Sequence, residues 1–166
     1  MGTPGPFVAI HPGAAYGSAK RWLPERFAEV ADALAEAWGA RVVVLGSPEE
    51  IALAQSVCAA MRGPALNLAG RTTTRDLMAV LAQASCLVCN DSGPMHVAAA
   101  LGVPVVAVFG PTDPRRTAPW SPRARVVRIE HDCSPCARRA CDRGHACMLG
   151  VTAEAVIDAA LELSGA

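Results

Sequence analysis

Cys89-Asn90-Asp91-Ser92-Gly93-Pro94-Met95-His96 is the stretch around which the rest of the chain is organised. The apolar run at 85–90 leads into it and predicts a short buried strand. A tight turn follows, and then an alanine-rich helix that Gly102 ends. The unbroken apolar run at 104–109 predicts the next strand. A strand, a turn, a helix and a strand within about 25 residues indicate a parallel crossover unit.

The same alternation of strands and helices extends along the chain. Strands are predicted at 7–11, 41–45, 65–68, 85–90, 104–109 and 125–129, and helices at 24–38, 48–62, 74–84, 95–101 and 152–164. Continuous apolar strands are typical of a parallel sheet covered on both faces. The fold class is therefore α/β: a three-layer α/β/α, Rossmann-like domain with a parallel sheet. No linker or repeat divides the chain, so residues 1–166 are expected to form a single domain.

Composition excludes several classes of protein. The formal net charge is zero, so no broad electrostatic attraction to nucleic acid or membranes is expected. No apolar run approaches the roughly 20 residues of a transmembrane segment. Residues 1–6 lack the charged and apolar regions of a signal peptide, which favours a cytoplasmic location. The Gly-x-Gly-x-x-Gly fingerprint is absent after the first strand, which disfavours a dinucleotide-dependent oxidoreductase.

Three loops that follow strands carry the candidate ligand-binding residues, because ligands bind beyond the carboxyl ends of parallel strands. The first loop, 13–22, is rich in small residues whose backbone amides suit a phosphate. It contains Lys20, the only lysine among 15 basic residues. Lys20 is either a compact cation for a phosphate or an ordinary surface lysine.

The second loop contains Ser47 and Glu50, which have the spacing of a capping box. Glu50 therefore either holds the start of the next helix or accepts hydrogen bonds from a ribose diol, as an acidic residue does in nucleotide-binding folds. Thr73 and Asp76 have the same capping spacing before the third helix.

The third loop is the Asp91 turn. Asp91 can bind sugar hydroxyls, and His96, one helical turn later, can reach the same place. Ser92 is a favourable N-cap, and the free amides of the helix start suit an anionic or hydroxyl-rich ligand. The alternative is that Ser92 only caps the helix, Asp91 only favours its dipole and His96 is structural.

Four of the seven cysteines, Cys133, Cys136, Cys141 and Cys147, lie close together in a loop at 132–150. The first pair has metal-ligand spacing, the later spacings match no zinc module, and His145 is a fifth possible ligand. Structural metal and free or redox-sensitive thiols both remain open. We expect this loop to be dispensable for ligand binding at the loops that contain Lys20, Glu50 and Asp91.

Several motifs together resemble glycosyltransferase family 9, over essentially the whole chain. They are His11-Pro-Gly-Ala-Ala, Ala19-Lys-Arg-Trp, Asn90-Asp-Ser-Gly-Pro-Met-His, Phe109-Gly-Pro-Thr-Asp-Pro and the cysteine loop. The resemblance is greatest to the lipopolysaccharide heptosyltransferases, with heptosyltransferase II the nearest subgroup. It implies the C-terminal domain of a GT-B glycosyltransferase, which binds ADP-L-glycero-D-manno-heptose. The N-terminal acceptor domain, which would supply the general base, is expected to be absent from this chain.

The resemblance also implies roles for individual residues. Lys20 would contact the diphosphate and offset charge on the departing ADP, and Asp91 would hold heptose hydroxyls; these are the two expected catalytic residues. Glu50 would bind ribose and Thr72 would line the adenine pocket. The remaining residues expected around the phosphates and sugar are Ala14, Ala15, Ser92, Gly93 and His96. The family needs no metal ion or other cofactor.

Three functions remain in competition. The first is the donor-binding half of an inverting heptosyltransferase that acts on the lipopolysaccharide inner core, in the cytoplasm or peripherally at the inner face of the inner membrane. The second is a stand-alone nucleotide or nucleotide-sugar binding module without catalysis. The third is a metal or redox module built on the cysteine loop. The first predicts partners in the nucleotide-sugar, the missing N-terminal domain and the lipopolysaccharide acceptor.

Overall fold

Six parallel strands form one sheet in the computed structural model, which describes residues 5–165. The strands are β1 (Phe7–His11), β2 (Arg41–Val44), β3 (Ala65–Asn67), β4 (Cys86–Asn90), β5 (Val105–Val108) and β6 (Ala124–Val127). Their order across the sheet is β3-β2-β1-β4-β5-β6. The predicted α/β fold with a parallel sheet is confirmed. Residues 1–4, on which part of the signal-peptide argument depends, lie outside the described residues.

Helices cover both faces of this sheet. They are α1 (Pro24–Trp38), α2 (Ile51–Ala60), α3 (Thr74–Leu81), α4 (Gly93–Ala100), α5 (Pro114–Thr117), α6 (Ala146–Leu149) and α7 (Ala153–Ser164). Helices α1, α2 and α7 pack on one face, and α3 and α4 pack on the other. These layers account for the apolar central strands β4 and β5, in which every residue is buried whichever face its side chain points to.

Alternate residues of β1, β2, β4 and β5 contribute to separate cores on the two faces. Val8 and Ile10 belong to the core beneath α1, whereas Ala9 between them belongs to the core beneath α3 and α4. All three are fully buried. The period of two along a strand therefore divides one apolar run between two cores.

Several element boundaries differ from the sequence prediction. Two short helices, α5 and α6, lie where the sequence predicts no helix, and β6 ends at Val127 instead of residue 129. A 3-10 turn, Pro48–Glu50, precedes α2. A four-residue helix is too short to show helical periodicity, and α5 depends on a local cap, in which Asp113 accepts the Arg115 N–H.

The strand order places a switch point between β1 and β4. The chain builds the sheet outward from β1 in one direction and from β4 in the other. The chain thus leaves β1 and β4 toward opposite sides of the sheet, and a crevice opens at the carboxyl edge between them. Among residues 5–165, none of the helices has both the length and the apolar character needed to cross a membrane.

Candidate functional site

A cleft of about 380 Å³ opens at this edge of the sheet. Four chain segments line it: the end of β1 with its loop, the turn after β2, the start of α3 and the start of α4. The lining residues are His11, Ala15, Gly46, Ser47, Pro48, Glu50, Thr72, Thr73, Thr74, Leu77, Ser92, Gly93 and Pro94. All three loops expected to converge therefore contribute to this cleft, joined by the segment that starts α3.

Glu50 both caps a helical turn and lines the cleft. Its Oε2 accepts the backbone N–H of Ser47 at 2.9 Å, so the predicted capping contact is present. The carboxylate packs over the backbone of Gly13, where a Cβ atom would lie 2.0 Å from Glu50 Oε1. Only glycine at position 13 leaves the carboxylate in its observed place. The two interpretations of Glu50 are thus compatible, because its cap leaves it in the lining of the cleft.

His11 lies between Glu50 and Ser92. Its Nε2 is 3.6 Å from Glu50 Oε2, and its Nδ1 is 3.5 Å from Ser92 Oγ. Burial lowers the pKa of His11 below its usual value, while the nearby Glu50 carboxylate partly opposes that shift. Ser92 occupies the N-cap position of α4, but its hydroxyl makes no capping hydrogen bond. Capping of α4 therefore does not explain why a residue with a hydroxyl group occupies position 92.

Lys20 and Asp91 form a buried ion pair beside the cleft. Lys20 Nζ lies 2.6 Å from Asp91 Oδ2, and the two residues are only 9% and 5% exposed. Thr112 Oγ1 donates to the same oxygen at 2.6 Å and Thr117 Oγ1 at 3.4 Å. Within the described residues, no hydrogen bond reaches Asp91 Oδ1. The sequence predicts that Lys20 and Asp91 contact the ligand separately, whereas in the structure the two side chains bind each other.

The side chain of Asn90 holds the Lys20 loop in place. This fully buried amide accepts the Trp22 N–H at 3.0 Å through Oδ1 and donates to the Pro12 carbonyl at 2.7 Å through Nδ2. The contacts lie on either side of Lys20 in the chain. The end of β4 thus fixes the loop that follows β1, which brings Lys20 to Asp91.

Some of the other predicted site residues line the cleft, and others do not. Ala15, Thr72 and Gly93 line the cleft. Ala14 is buried and is not part of the lining. His96 lies one turn into α4, exposed to solvent and outside the lining, so the structure does not bring it to the cleft residues.

Sequence reasoning missed three residues of this site: His11, Thr112 and Thr117. His11 and Thr112 both fall within the motifs that carry the family resemblance, so a signal existed for them. No motif contains Thr117, which reaches Asp91 only because α5 turns back toward β4.

The cysteine loop lies against the same edge of the sheet. Its cysteines are free thiols, and Cys133, Cys136 and Cys141 line a second cleft of about 240 Å³. Burial, and then the proximity of the other three thiols, raises the pKa of Cys147. Among the described residues, no group of three or more His, Cys, Asp or Glu side chains is arranged to hold a metal ion.

Comparison with known families identifies the chain. The model of glycosyltransferase family 9 (heptosyltransferase) matches residues 2–147. The chain belongs to glycosyltransferase family 9. It is 34% identical over 161 residues to lipooligosaccharide heptosyltransferase 2 of Campylobacter jejuni, with 94% of this chain and 50% of that protein covered. It is 40% identical over 128 residues to lipopolysaccharide heptosyltransferase 2 of Escherichia coli, with 75% of this chain and 36% of that protein covered.

Solved structures of the family have the same fold. The E. coli ADP-heptose lps heptosyltransferase II superposes with a TM-score of 0.84 at 32% identity, over 99% of this chain and 48% of that one. A family 9 glycosyltransferase from Veillonella parvula gives a TM-score of 0.85 at 30% identity, over 96% of this chain and 46% of that one. The chain thus spans about half the length of these family members, or less.

Proposed function

We propose that this chain is the donor-binding half of a heptosyltransferase, which holds ADP-L-glycero-D-manno-heptose for transfer of heptose to the lipopolysaccharide inner core. One observation carries the proposal: Glu50 and the Lys20–Asp91 pair converge at the switch point of a family 9 domain. On this proposal, residues 1–166 are the donor domain of a two-domain enzyme. The other domain supplies the acceptor contacts and the general base.

The nucleotide occupies the cleft. Glu50 accepts hydrogen bonds from the ribose diol, a role supported by its buried carboxylate in the cleft lining. Thr72, on the segment that leads into α3, lines the adenine pocket. His11 presents a neutral imidazole to this carboxylate at neutral pH, because burial lowers its pKa.

The diphosphate and sugar lie toward the Lys20–Asp91 pair. Asp91 Oδ2 is shared by Lys20 and Thr112, which leaves Oδ1 for hydroxyl groups of the heptose. The start of α4, with Ser92 and Gly93, adds a hydroxyl and a backbone amide for the phosphates. Ala14 and Ala15 offer only backbone donors, and His96, which lies outside the cleft lining, is assigned no contact.

The reaction places its largest charge change near Lys20. The acceptor hydroxyl attacks the anomeric carbon with inversion, and its proton passes to a base of the other domain. The bond from that carbon to the β-phosphate oxygen breaks, and ADP departs with an additional negative charge. Lys20 stabilises this charge without a metal ion, and its pairing with Asp91 holds the ammonium in place before the reaction.

Calorimetry with the isolated chain tests the proposal. ADP and ADP-heptose should bind with about −4 to −6 kcal/mol, since half of the enclosing cleft is supplied by the other domain. UDP-sugars should bind more weakly. Equal binding of UDP- and ADP-sugars would count against the assignment of the donor.

The stand-alone binding module predicts the same donor binding but no transfer. Adding an N-terminal half from a family 9 relative separates the two, because only the enzyme half should then transfer heptose. We further propose that the reaction takes place in the cytoplasm, peripherally at the inner face of the inner membrane, because the acceptor is a membrane lipid.

A further inference from the structure

The cysteine segment, residues 133–147, binds the backbone directly before Lys20. The Ala19 N–H donates to the Arg139 carbonyl at 3.0 Å, and His145 Nε2 lies 2.7 Å from the Ala19 carbonyl. Because a carbonyl oxygen only accepts, Nε2 carries the hydrogen in this contact. The cysteine segment thus holds both peptide groups of Ala19. Because the second of these groups leads directly into Lys20, the segment also fixes the backbone from which the Lys20 side chain extends.

Tyr16 provides a second connection to the same segment. Its hydroxyl donates to the Ala137 carbonyl at 2.8 Å, and its ring centroid lies 4.8 Å from Lys20 Nζ. The chains approach so closely here that a Cβ atom on Gly17 would lie 2.1 Å from the Arg139 carbonyl oxygen. The ring that flanks the Lys20 ammonium is therefore itself fixed by the cysteine segment.

The other end of the segment reaches the loop that carries Thr112. The N–H groups of Cys136 and Ala137 both donate to the Pro111 carbonyl, at 3.0 and 2.7 Å. Pro111 directly precedes Thr112, the second close donor to Asp91 Oδ2. The cysteine segment thus connects the loop that carries Lys20 with the loop that carries Thr112. Both of these side chains donate to Asp91 Oδ2.

A thiol holds the turn on which His145 lies. Cys141 Sγ accepts the backbone N–H of His145 at 3.3 Å and that of Arg143 at 3.4 Å. The contact of His145 with Ala19 consequently depends on the position of Cys141. The cysteine segment belongs to the loop that the sequence predicts to be dispensable for donor binding. In the structure it is connected to Lys20 through these bonds.

We propose that the cysteine segment is a positioning element of the donor site, and that His145, supported by Cys141, is the residue through which it holds Lys20. This inference rests on the proposed role of Lys20 in binding the diphosphate. Its consequence is that a change at His145 or Cys141 weakens nucleotide binding although neither side chain touches the nucleotide.

Calorimetric titration with ADP tests the inference. His145→Phe keeps a ring of similar size but loses the donor, and should weaken ADP binding by at least about fivefold. His145→Gln keeps a donor and should recover most of the affinity. Arg138→Ala is the matched control within the segment, because Arg138 is exposed and its ion pair is with Asp142 of the same segment; it should bind ADP as the unaltered chain does.

A double variant separates positioning from a general loss of structure. If His145 acts through Lys20, Lys20→Ala combined with His145→Phe should bind ADP no more weakly than Lys20→Ala alone. Additive losses would overturn the inference, and so would a His145→Phe variant that binds like the control while Lys20→Ala does not. If Lys20→Ala itself leaves ADP affinity unchanged, the proposed function fails instead.

Cys141 supplies the second measurement, should the phenylalanine variant not fold. Cys141→Ala removes the sulfur acceptor, whereas Cys141→Ser keeps a smaller acceptor at the same position. The alanine variant should bind ADP more weakly than the serine variant. Equal affinities for the two variants would contradict the part assigned to this thiol.

Discussion

The two sides of the candidate site are assembled in different ways. The Lys20 side consists of Lys20, Asp91 and Thr112, whose contacts join residues 71 and 21 positions apart at 2.6 Å each. The Glu50 side depends on a cap between residues three positions apart and on a longer contact with His11. Substitutions in a buried ion pair between residues distant in the sequence should therefore lower the free energy of unfolding more than substitution of a carboxylate held by a local cap.

The largest effect is expected from Lys20→Ala, which leaves Asp91 buried without its cationic partner. Loss of one member of a buried ion pair should lower the free energy of unfolding by about 3 kcal/mol, partly offset by the two threonine hydroxyls. Urea denaturation measures this loss. Arg41→Ala is the control for an exposed basic residue and should change little. A loss no larger than that of the control would show that the pair contributes nothing to stability.

The same variant tests the chemistry assigned to Lys20. We expect ADP-sugar binding to weaken by about 1–3 kcal/mol. In an enzyme completed with an N-terminal half, turnover should fall by more than the Michaelis constant rises, because the charge on ADP is largest in the transition state. Lys20→Arg should recover only part of the activity, since a planar guanidinium does not fit the place of a compact ammonium. Turnover at the unaltered level in Lys20→Ala would refute this account.

Thr112→Val should have the next largest effect. It keeps the shape of the side chain but removes a hydrogen bond to a charged oxygen, which should cost about 1.5–3 kcal/mol of unfolding free energy. Thr112→Ser retains the hydroxyl and is the matched control. Equal stabilities of the valine and serine variants would mean that Thr112 does not support Asp91.

Glu50→Gln examines the other side of the comparison. Glutamine preserves a capping side chain, so the melting temperature should barely move. The charge that would accept the ribose hydroxyls is lost, and ADP affinity should fall by about 1 kcal/mol. A shifted melting temperature with unchanged affinity would make Glu50 only a cap and remove it from the site.

The smallest expected effect is a pH dependence due to His11. Its pKa is lowered in the folded chain by burial, so the unfolded chain takes up a proton first as the pH falls below about 6.5. The stability that the neutral, buried imidazole contributes above that pH is therefore lost on acidification. His11→Gln should therefore lose less stability than the unaltered chain between pH 7.5 and 5.5, as measured by urea denaturation at each pH. His96→Gln, at an exposed position, is the matched histidine control.

The sequence by itself determined the features that depend on short stretches of chain. Apolar runs predicted all six strands, and the capping boxes at Ser47–Glu50 and Thr73–Asp76 were both confirmed. Parallel strands bring the loops at their carboxyl ends together, so the convergence of the Lys20, Glu50 and Asp91 loops could also be predicted. Local sterics and residue spacing are sufficient for such features.

Only the tertiary structure decided which side chains meet within that edge. Nothing in the sequence pairs Lys20 with Asp91, and nothing brings Thr117 to the same carboxylate or His145 to the Ala19 carbonyl, 126 residues away. Such contacts depend on how far each loop extends and how closely the packed layers approach. Those distances are set by the whole core and carry no periodic signal along the chain. The cysteine loop could therefore be found from its sequence, but its place beside Lys20 could not.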